Sequence, residues 1–192
     1  DDFNGGLSEA WKGRYDHFKT SYKVVEDNDK AYLSAKSDDD DCFIIKKVDV
    51  DIVEYPYLNW RWRINKLPVK GDESVKETCD VAASIAVVLN KSRFFPKSIK
   101  YSWSTSLQAG TCSESPFAIW PARCDIEIVG SGYAKKGEWI DVKVNVLEDY
   151  LSRYNKKSVS SKRIYAMVIM TDSDNTGTPS EADYDDIYFS KN

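Results

Sequence analysis

Apolar and polar residues alternate along ten short segments of this chain, and clusters of Asp, Asn, Gly, Pro and Ser separate the segments. A period of two residues is that of a β-strand, in which successive side chains point to opposite faces of a sheet. The pattern predicts strands at residues 16–25, 30–36, 42–50, 57–65, 81–89, 99–104, 124–129, 139–146, 163–170 and 182–190.

Only residues 147–154 have helical spacing, with Leu147, Tyr150, Leu151 and Tyr154 three or four positions apart. Ten short strands with turn residues between them are typical of a β-sandwich or jelly roll. With 192 residues, the chain is long enough to bury one sizeable core. We therefore expect an all-β sandwich with one short helix, folded as a single domain over residues 1–192.

Charge and hydropathy exclude several classes of partner. The formal net charge is -4, without a basic field to hold a phosphate backbone, so nucleic acid is not expected as a partner. No run approaches the ~18 apolar residues of a membrane-spanning helix. The opening residues do not resemble a signal or transit peptide, so the sequence is interpreted as a mature, secreted or periplasmic chain. We expect a monomer.

The chain has four cysteines and one histidine, His17. A single histidine excludes multi-histidine metal sites and nearly every Ser-His-Asp arrangement. The wide spacing of the cysteines is compatible with two disulfides in an oxidising compartment, and buried free thiols are the alternative. The favoured pairs are Cys112 with Cys124 and Cys42 with Cys79.

Alternation gives each strand two faces. In residues 57–65, the apolar face holds Leu58, Trp60, Trp62 and Ile64, and the polar face holds Asn59, Arg61 and Arg63. The two tryptophans are interpreted as core residues rather than as a sugar-stacking platform. Arginines on a central strand need carboxylate partners or an acidic ligand, since an unpaired charge in a groove is costly.

Two further strands have polar faces with aromatic residues. Residues 139–146 place Trp139, Asp141 and Lys143 outward. Strict alternation in residues 182–190 puts Tyr184, Asp186 and Tyr188 on one face and Asp185, Ile187 and Phe189 on the other. If these polar faces share one sheet, they form a surface suited to a polysaccharide or oligosaccharide, because rings stack on pyranoses while charged groups bind hydroxyls. An ordinary solvent-exposed face is the alternative. The candidate ligand-binding residues are Asn59, Arg61, Arg63, Trp139, Asp141, Lys143, Tyr184 and Tyr188.

An acidic loop follows the strand at residues 163–170. Asp172, Asp174, Thr176 and Gly177 take positions 1, 3, 5 and 6 of a calcium-loop pattern, and Asp183 takes position 12. A strand rather than a helix precedes the loop, so an EF-hand is not expected. The hypothesis is a calcium ion bound by Asp172, Asp174, Thr176 and Asp183. The alternative is a hairpin turn in which Asp and Asn side chains cap backbone amides.

The chain ends carry a resemblance to another class of β-sandwich. Residues 3–7, F-N-G-G-L, followed by Trp11, resemble the opening of jelly-roll carbohydrate-binding modules, and Asp185-Asp186-Ile187 resembles their last strand. In those modules a structural calcium often lies between N-terminal carbonyls and a final-strand acid. The resemblance implies a galactose-binding or carbohydrate-binding-module type of sandwich, with Asp186 as a candidate calcium ligand and Asn4 contributing its carbonyl.

Most of the chain, from about residue 3 to 189, also resembles a bacterial exported family called domain of unknown function 3047. The most specific matching segments are residues 56–62, P-Y-L-N-W-R-W, and residues 170–177, M-T-D-S-D-N-T-G. Shorter matches lie at residues 79–84, 101–103, 137–139 and 145–150. The resemblance implies a β-sandwich and no established activity.

The sequence supports three functional hypotheses. The first is a non-catalytic, secreted or periplasmic carbohydrate-binding domain stabilised by calcium. The second is a glycan hydrolase or lyase that uses two carboxyls, for which Asp141, Asp172, Asp174 and Asp186 are candidates. The third is an envelope protein-interaction domain, which would expose a large apolar area around its aromatic residues.

Overall fold

The computed structural model describes residues 1–28, 30–92 and 94–192, which form two packed β-sheets. One sheet has seven strands, and its spatial order is β1, β4, β11, β6, β7, β9, β8. These strands are β1 (Trp11–Gly13), β4 (Phe43–Asp51), β6 (Ala83–Val88), β7 (Lys97–Ser104), β8 (Cys112–Glu114), β9 (Arg123–Ser131) and β11 (Arg163–Met170). Neighbours pair antiparallel except β7 and β9, which are parallel.

The second sheet has five antiparallel strands in the order β10, β5, β12, β3, β2. They are β2 (Tyr22–Asp27), β3 (Lys30–Ser37), β5 (Tyr57–Lys66), β10 (Trp139–Asn145) and β12 (Ser180–Ser190). Helix α1 (Phe18–Ser21), a 3-10 helix (Lys76–Thr78) and helix α2 (Val146–Arg153) complete the described elements. The all-β sandwich predicted from the sequence is confirmed.

Each of the ten predicted strands overlaps an observed strand, and the differences are local. The first part of the predicted strand at 16–25 instead contains α1. Phe18 of this helix packs so closely on Gly13 that a Cβ added to Gly13 would lie 2.2 Å from Phe18 Cβ. The three-residue strands β1 and β8 were not predicted, because they are too short to show alternation. The predicted helix corresponds to α2, whose first turn is capped by Asn145 Oδ1 accepting from Glu148 N at 3.2 Å.

The core lies between the sheets and is rich in aromatic residues. Trp60 and Trp62 are at most 2% exposed and meet edge to face, with ring centroids 5.2 Å apart. Trp60 also packs on Tyr101, and Trp62 on Trp103, so β5 and β7 face each other across the sandwich. The interpretation of both tryptophans as core residues is confirmed.

The helices are short. α2 has eight residues and packs against the core with Leu147 and Tyr150. In the part of the chain that the structure describes, no helix is long and apolar enough to cross a membrane.

Candidate functional site

The outer face of the five-stranded sheet gathers most of the predicted ligand-binding residues. Strand β5 is an interior strand and pairs with β10 on one side and β12 on the other. Directly paired residues of neighbouring strands point to the same face, so each row across the sheet brings side chains together. Three rows cross this outer face: Trp139, Arg63 and Asp183; Asp141, Arg61 and Asp185; and Lys143, Asn59 and Tyr188.

Both arginines of β5 are held by buried carboxylates of β12. Arg61 Nε donates to Asp185 Oδ2 at 3.2 Å, and Arg61 Nη2 donates to the same oxygen at 2.5 Å. The Asp185 side chain is only 4% exposed. Arg63 makes the equivalent pair with Asp183. The carboxylate partners that the arginines require are therefore supplied by the neighbouring strand.

The same arginines contact aromatic rings. The guanidinium carbons of Arg61 and Arg63 lie 4.7 and 4.9 Å from the centroid of Trp139, within the range of a cation–π interaction. Arg63 also lies 4.9 Å from the ring of Tyr32, which meets Trp139 edge to face. Tyr32 is absent from the predicted site, although Ala31, Leu33 and Ala35 alternate with it as core residues and so place it outward.

A β-bulge in β12 corrects the predicted faces of that strand. The register with β5 shifts between Asp185 and Tyr188, and Asp186 takes a left-handed backbone conformation with φ of 50°. Tyr184 is fully buried, whereas Tyr188 is 56% exposed. The prediction that Tyr184 lies on the ligand face is wrong, and so is the placement of Asp185 on the face of Ile187, because the bulge adds one residue to the alternation.

A shallow groove of about 260 Å³ crosses the outer face beside the bulge. It is lined by Asn59, Asp141, Lys143, Asp186 and Tyr188, with Trp60 and Val142 beneath. Asn59 Nδ2 donates to Ser190 Oγ at 3.0 Å, which fixes the amide at the groove floor. Asp186 contacts Arg61 at 3.3 Å. The groove thus presents one exposed ring beside carboxylate, ammonium and amide groups.

Two of these groups have no ionic partner. In residues 1–28, 30–92 and 94–192, neither Asp141 nor Lys143 forms an ion pair. The Lys143 ammonium lies 4.3 Å from the centroid of Tyr57. Both side chains are exposed and remain available to a polar ligand.

A larger depression of about 400 Å³ lies near Asp49, Asp51 and Arg163. Its charged groups are already engaged: Arg163 pairs with Asp49, and Asp51 accepts from Ser161 Oγ at 2.6 Å. The depression therefore offers fewer free polar groups than the groove.

The acidic loop lies in the connection between β11 and β12. Asp172 and Asp174 approach Asp80, and one carboxylate oxygen of each lies within 4.8 Å of the others. Asp80 was not among the predicted metal ligands. It precedes β6 and reaches the loop only through the fold, so no sequence spacing could have identified it.

One predicted calcium ligand does not fit this cluster. Asp183 lies on the outer sheet face, where its Oδ2 accepts from Arg63 and from Asn65 Nδ2 at 2.7 Å. The calcium-loop spacing is therefore wrong for Asp183, because β12 carries this residue away from the loop. Thr176 lies in the loop, where its Oγ1 is 2.8 Å from Thr178 Oγ1, and its role as a ligand stays a prediction.

The second predicted cation site, at Asn4 and Asp186, is only partly assembled. The first residue does reach the last strand, since Ile187 N donates to Asp1 O at 2.9 Å. Asn4 uses its side-chain oxygen to accept from Ala31 N at 3.0 Å, and Asp186 pairs with Arg61. These contacts engage both side chains, and calcium binding by the Asn4 carbonyl and Asp186 stays a prediction.

The predicted disulfides do not form, and all four cysteines are free thiols. Cys112 pairs with Glu127 in the β8–β9 register, three residues along β9 from Cys124. Three residues of strand span about 10 Å, more than the ~7 Å between the Cα atoms of a disulfide. Cys79 donates from Sγ to Glu73 O at 3.4 Å, and Cys42 is buried elsewhere, at the start of β4.

Solved structures with a similar fold include several carbohydrate-active proteins. The endoglucanase 3 of Trichoderma harzianum, from family GH12, matches with a TM-score of 0.52 and 9% identity, over 95% of this chain and 92% of that chain. A CBM28 module specific for non-crystalline cellulose matches with a TM-score of 0.48 and 13% identity, over 99% and 92%. TmCBM61, solved with β-1,4-galactotriose, matches with a TM-score of 0.41 and 13% identity, over 98% and 92%.

These identities are low, so the match to the endoglucanase shows a shared fold and nothing more. No curated relative matches the chain. The family resemblance noted in the sequence is confirmed over most of the length. With residues 10–188 matched by its family model, the chain belongs to the family described as protein of unknown function, DUF3047.

Proposed function

We propose that the protein is a non-catalytic carbohydrate-binding domain, secreted or periplasmic, which binds a polysaccharide or oligosaccharide in the groove on the five-stranded sheet. The observation that carries this proposal is the exposed ring of Tyr188 beside the polar groups of the groove. The apolar face of a pyranose stacks on such a ring, while its hydroxyls bond to side chains beside it.

The groups in the groove have complementary roles toward hydroxyls. Asp141 accepts hydrogen bonds, Lys143 donates them, and the Asn59 side-chain oxygen can accept them, since its Nδ2 donates within the protein. Because Asp141 and Lys143 have opposite charges, the groove does not select strongly for an acidic or a basic ligand. A neutral glycan fits this balance.

The rows of arginine and carboxylate form a rigid wall beside the groove, which Arg61 reaches through its contact with Asp186. Arg61 is fixed by Asp185, Asp186 and the Trp139 ring together. A wall fixed before binding loses little side-chain entropy when the ligand arrives, which favours affinity. This role differs from direct stacking on Trp139, whose ring already contacts two guanidinium groups.

The positions of the carboxyls favour binding over hydrolysis. A glycosidase needs two carboxyls about 5 to 10 Å apart across its cleft, one of them protonated before the reaction. Burial raises the pKa of Glu73, raises that of Asp172 to about 8 and raises that of Asp149 to about 6. Glu73 and Asp172 are nearly inaccessible, and Asp149 accepts a bond from Tyr101 and does not line the groove. In the groove, Asp186 is engaged by Arg61 and the surface is shallow.

Export and a structural calcium ion are further parts of the proposal. Export is consistent with the ligand class, since cell-wall and extracellular polysaccharides lie outside the cell membrane, and does not depend on disulfides. Calcium is supported by the carboxylates of the acidic loop, a kind of ligand that this ion prefers. We also propose that the domain acts as a monomer.

Binding to a panel of soluble and insoluble polysaccharides tests the proposed function. Tyr188→Ala should weaken binding about tenfold through loss of stacking. Tyr133→Ala is the matched control, because Tyr133 is 55% exposed and does not line the groove. Trp139→Ala and Arg61→Ala should weaken binding by disturbing the wall.

Two results would refute this function. One is the absence of binding to every polysaccharide in the panel. The other is an equal loss for Tyr188→Ala and Tyr133→Ala, which would mean that the groove has no special role.

Binding to an envelope protein is the second candidate function. Four large apolar side chains are exposed near the starts of β7 and β9, which the bond from Arg123 N to Pro96 O holds together at 2.9 Å. They are Phe94, Phe95, Ile119 and Trp120, exposed by 81%, 49%, 82% and 89%. Exposed apolar area of this kind is typical of protein contacts. If this surface is the functional one, Trp120→Ser should abolish cross-linking to a partner in intact cells, and Tyr188→Ala should not.

A further inference from the structure

Three carboxylates converge at one end of the sandwich, outside the groove. Asp80 is fully buried, Asp172 is 4% exposed and Asp174 is exposed. One oxygen of each lies within 4.8 Å of the others. The exposed Asp174 leaves the cluster open to solvent on one side, so an ion has a path to it.

The cluster has no ion-pair partner among the described residues. In residues 1–28, 30–92 and 94–192, no ion pair involves Asp80, Asp172 or Asp174. The buried carboxylates Asp183, Asp185 and Asp125 each pair with an arginine, whereas the buried Glu73 has no ion pair and accepts from Ser104 Oγ at 2.5 Å. Burying carboxylates without a counter-charge is costly, and a bound cation would offset that cost.

Asp172 supplies the observation that separates this cluster from an ordinary acidic turn. Its Oδ1 is buried and has no hydrogen-bond partner within the described residues. A buried oxygen without a donor beside two other carboxylates is suited to direct contact with a cation.

The backbone holds the carboxylates in place before any ion binds. Both oxygens of Asp80 accept backbone bonds, from Asn175 N at 3.0 Å and from Thr176 N at 2.6 Å. The Asp172 backbone is fixed on both sides, because its N–H donates to Val81 O at 2.9 Å and its carbonyl accepts from Ser180 Oγ at 3.0 Å. Fixed ligands of this kind lower the entropic cost of coordination.

We propose that Asp80, Asp172 and Asp174 bind one divalent cation of the hard, oxygen-preferring class, with Ca²⁺ as the first ion to test. Three carboxylates without a thiol or imidazole match the ligand preference of Ca²⁺ and Mg²⁺ rather than that of Zn²⁺. Water can complete the coordination through the open side at Asp174. The ion would tie the β11–β12 connection to the segment before β6, and so would stabilise the fold without contacting a glycan.

Isothermal titration calorimetry on chelator-treated protein tests the site with Ca²⁺ and, separately, with Mg²⁺. Wild type should bind one ion, and a saturating concentration should raise its melting temperature by several degrees. Asp172→Asn and Asp174→Asn should each weaken binding at least tenfold. Asp39→Asn is the control, because Asp39 is an exposed acid with φ of 54°, a backbone conformation that Asn tolerates. The Asp39→Asn variant should bind the ion as wild type does.

The two variants distinguish the loss of a cation ligand from the loss of the fold. Asp174 is exposed, so Asp174→Asn removes a ligand without disturbing packing. In Asp172→Asn the buried charge is absent, so the ion-free melting temperature should be no lower than that of wild type. Absence of binding by wild type at millimolar Ca²⁺ and Mg²⁺, or wild-type binding by both variants, would overturn the proposal.

This site rests on the calcium part of the proposed function and is separate from glycan binding by the groove. Cation binding without glycan binding would refute only the carbohydrate proposal, whereas glycan binding by a protein that binds no cation would refute this site and the structural calcium ion. The Tyr188→Ala variant should bind the ion as wild type.

Discussion

Arg63 Nε donates to Asp183 Oδ2 at 2.8 Å, and Arg63 Nη2 lies at the same distance from that oxygen. The Asp183 side chain is only 3% exposed, so this pair neutralises a buried charge. It also holds β5 and β12 in register on the face that carries the proposed glycan groove.

Loss of this pair should destabilise the fold. Arg63→Ala leaves Asp183 with only the bond from Asn65, and we expect the free energy of unfolding to fall by about 2–3 kcal/mol. Chemical denaturation measures the change. Arg14→Ala removes an exposed pair with Asp41 and should cost less than about 1 kcal/mol. Equal effects of the two substitutions would show that burial of Asp183 does not matter.

Tyr184 should contribute to stability and not to ligand binding. Its hydroxyl lies 2.9 Å from Thr171 Oγ1, accepts from Ser84 N at 3.2 Å and donates to Met170 O at 3.0 Å. Tyr184→Phe removes the acceptor of Ser84 N, whereas Thr171 Oγ1 keeps its bond to Ala82 O and Met170 O keeps its bond from Ser84 Oγ. The substitution should lower the free energy of unfolding by about 1–3 kcal/mol. Polysaccharide binding should be unchanged. Tyr188→Phe is the control for stability, because its hydroxyl is on an exposed side chain.

Asp149 should make stability depend on pH in mildly acidic solution. Burial raises its pKa from 3.8 to about 6, and Tyr101 donates to its Oδ2 at 2.8 Å. The folded protein therefore retains a proton between about pH 4 and pH 6 that the unfolded chain loses. The stabilisation from this group is full below about pH 4 and is lost as the pH rises through about 6.

The expected size of this effect is about 1–2 kcal/mol, since the half-buried group is partly screened by solvent. Asp149→Asn should abolish the part of the pH dependence of the unfolding free energy that Asp149 causes between pH 4 and pH 6. Glu148→Gln, a change at the exposed neighbouring residue, should preserve it. Denaturation at a series of pH values measures the slope, and an identical slope in wild type and Asp149→Asn would contradict the prediction.

The cysteines should behave as four thiols of different reactivity. Cys112 is exposed and should react quickly with a thiol reagent in the native protein. Cys79 should react slowly, because burial raises its pKa to about 11 and the thiolate is the reactive form. Unfolding should release all four, and a reducing agent should leave the melting temperature unchanged. Recovery of only two thiols from protein unfolded without reductant would show a disulfide.

The strands and the faces of β5 and β10 could be predicted from the sequence alone. Leu58, Trp60, Trp62 and Ile64 alternate with polar residues without interruption, and all four are buried as predicted. A local period determines the face of a strand wherever its backbone is regular. That period and the pairing of β5 with β10 place six predicted residues on one sheet face. They are Asn59, Arg61, Arg63, Trp139, Asp141 and Lys143.

The same rule failed where the backbone is irregular. The bulge at Asp186 shifts the alternation by one residue, which buries Tyr184 and leaves both Asp185 and Tyr188 on the outer side. The pattern of apolar and polar residues does not reveal this bulge, because Asp is compatible with both an extended and a left-handed backbone. The faces in β12 therefore required the structure.

The sequence by itself determined the all-β sandwich, its aromatic core and the family, because these depend on local periodicity and on matching segments along the chain. Only the tertiary structure decided which charges meet. It placed Asp183 and Asp185 beside Arg63 and Arg61, kept Cys112 apart from Cys124, and brought Asp80 to Asp172 and Asp174. The physical reason is that ion pairs, disulfides and cation ligands depend on distances of a few ångströms between residues remote in sequence, which strand order and register alone fix.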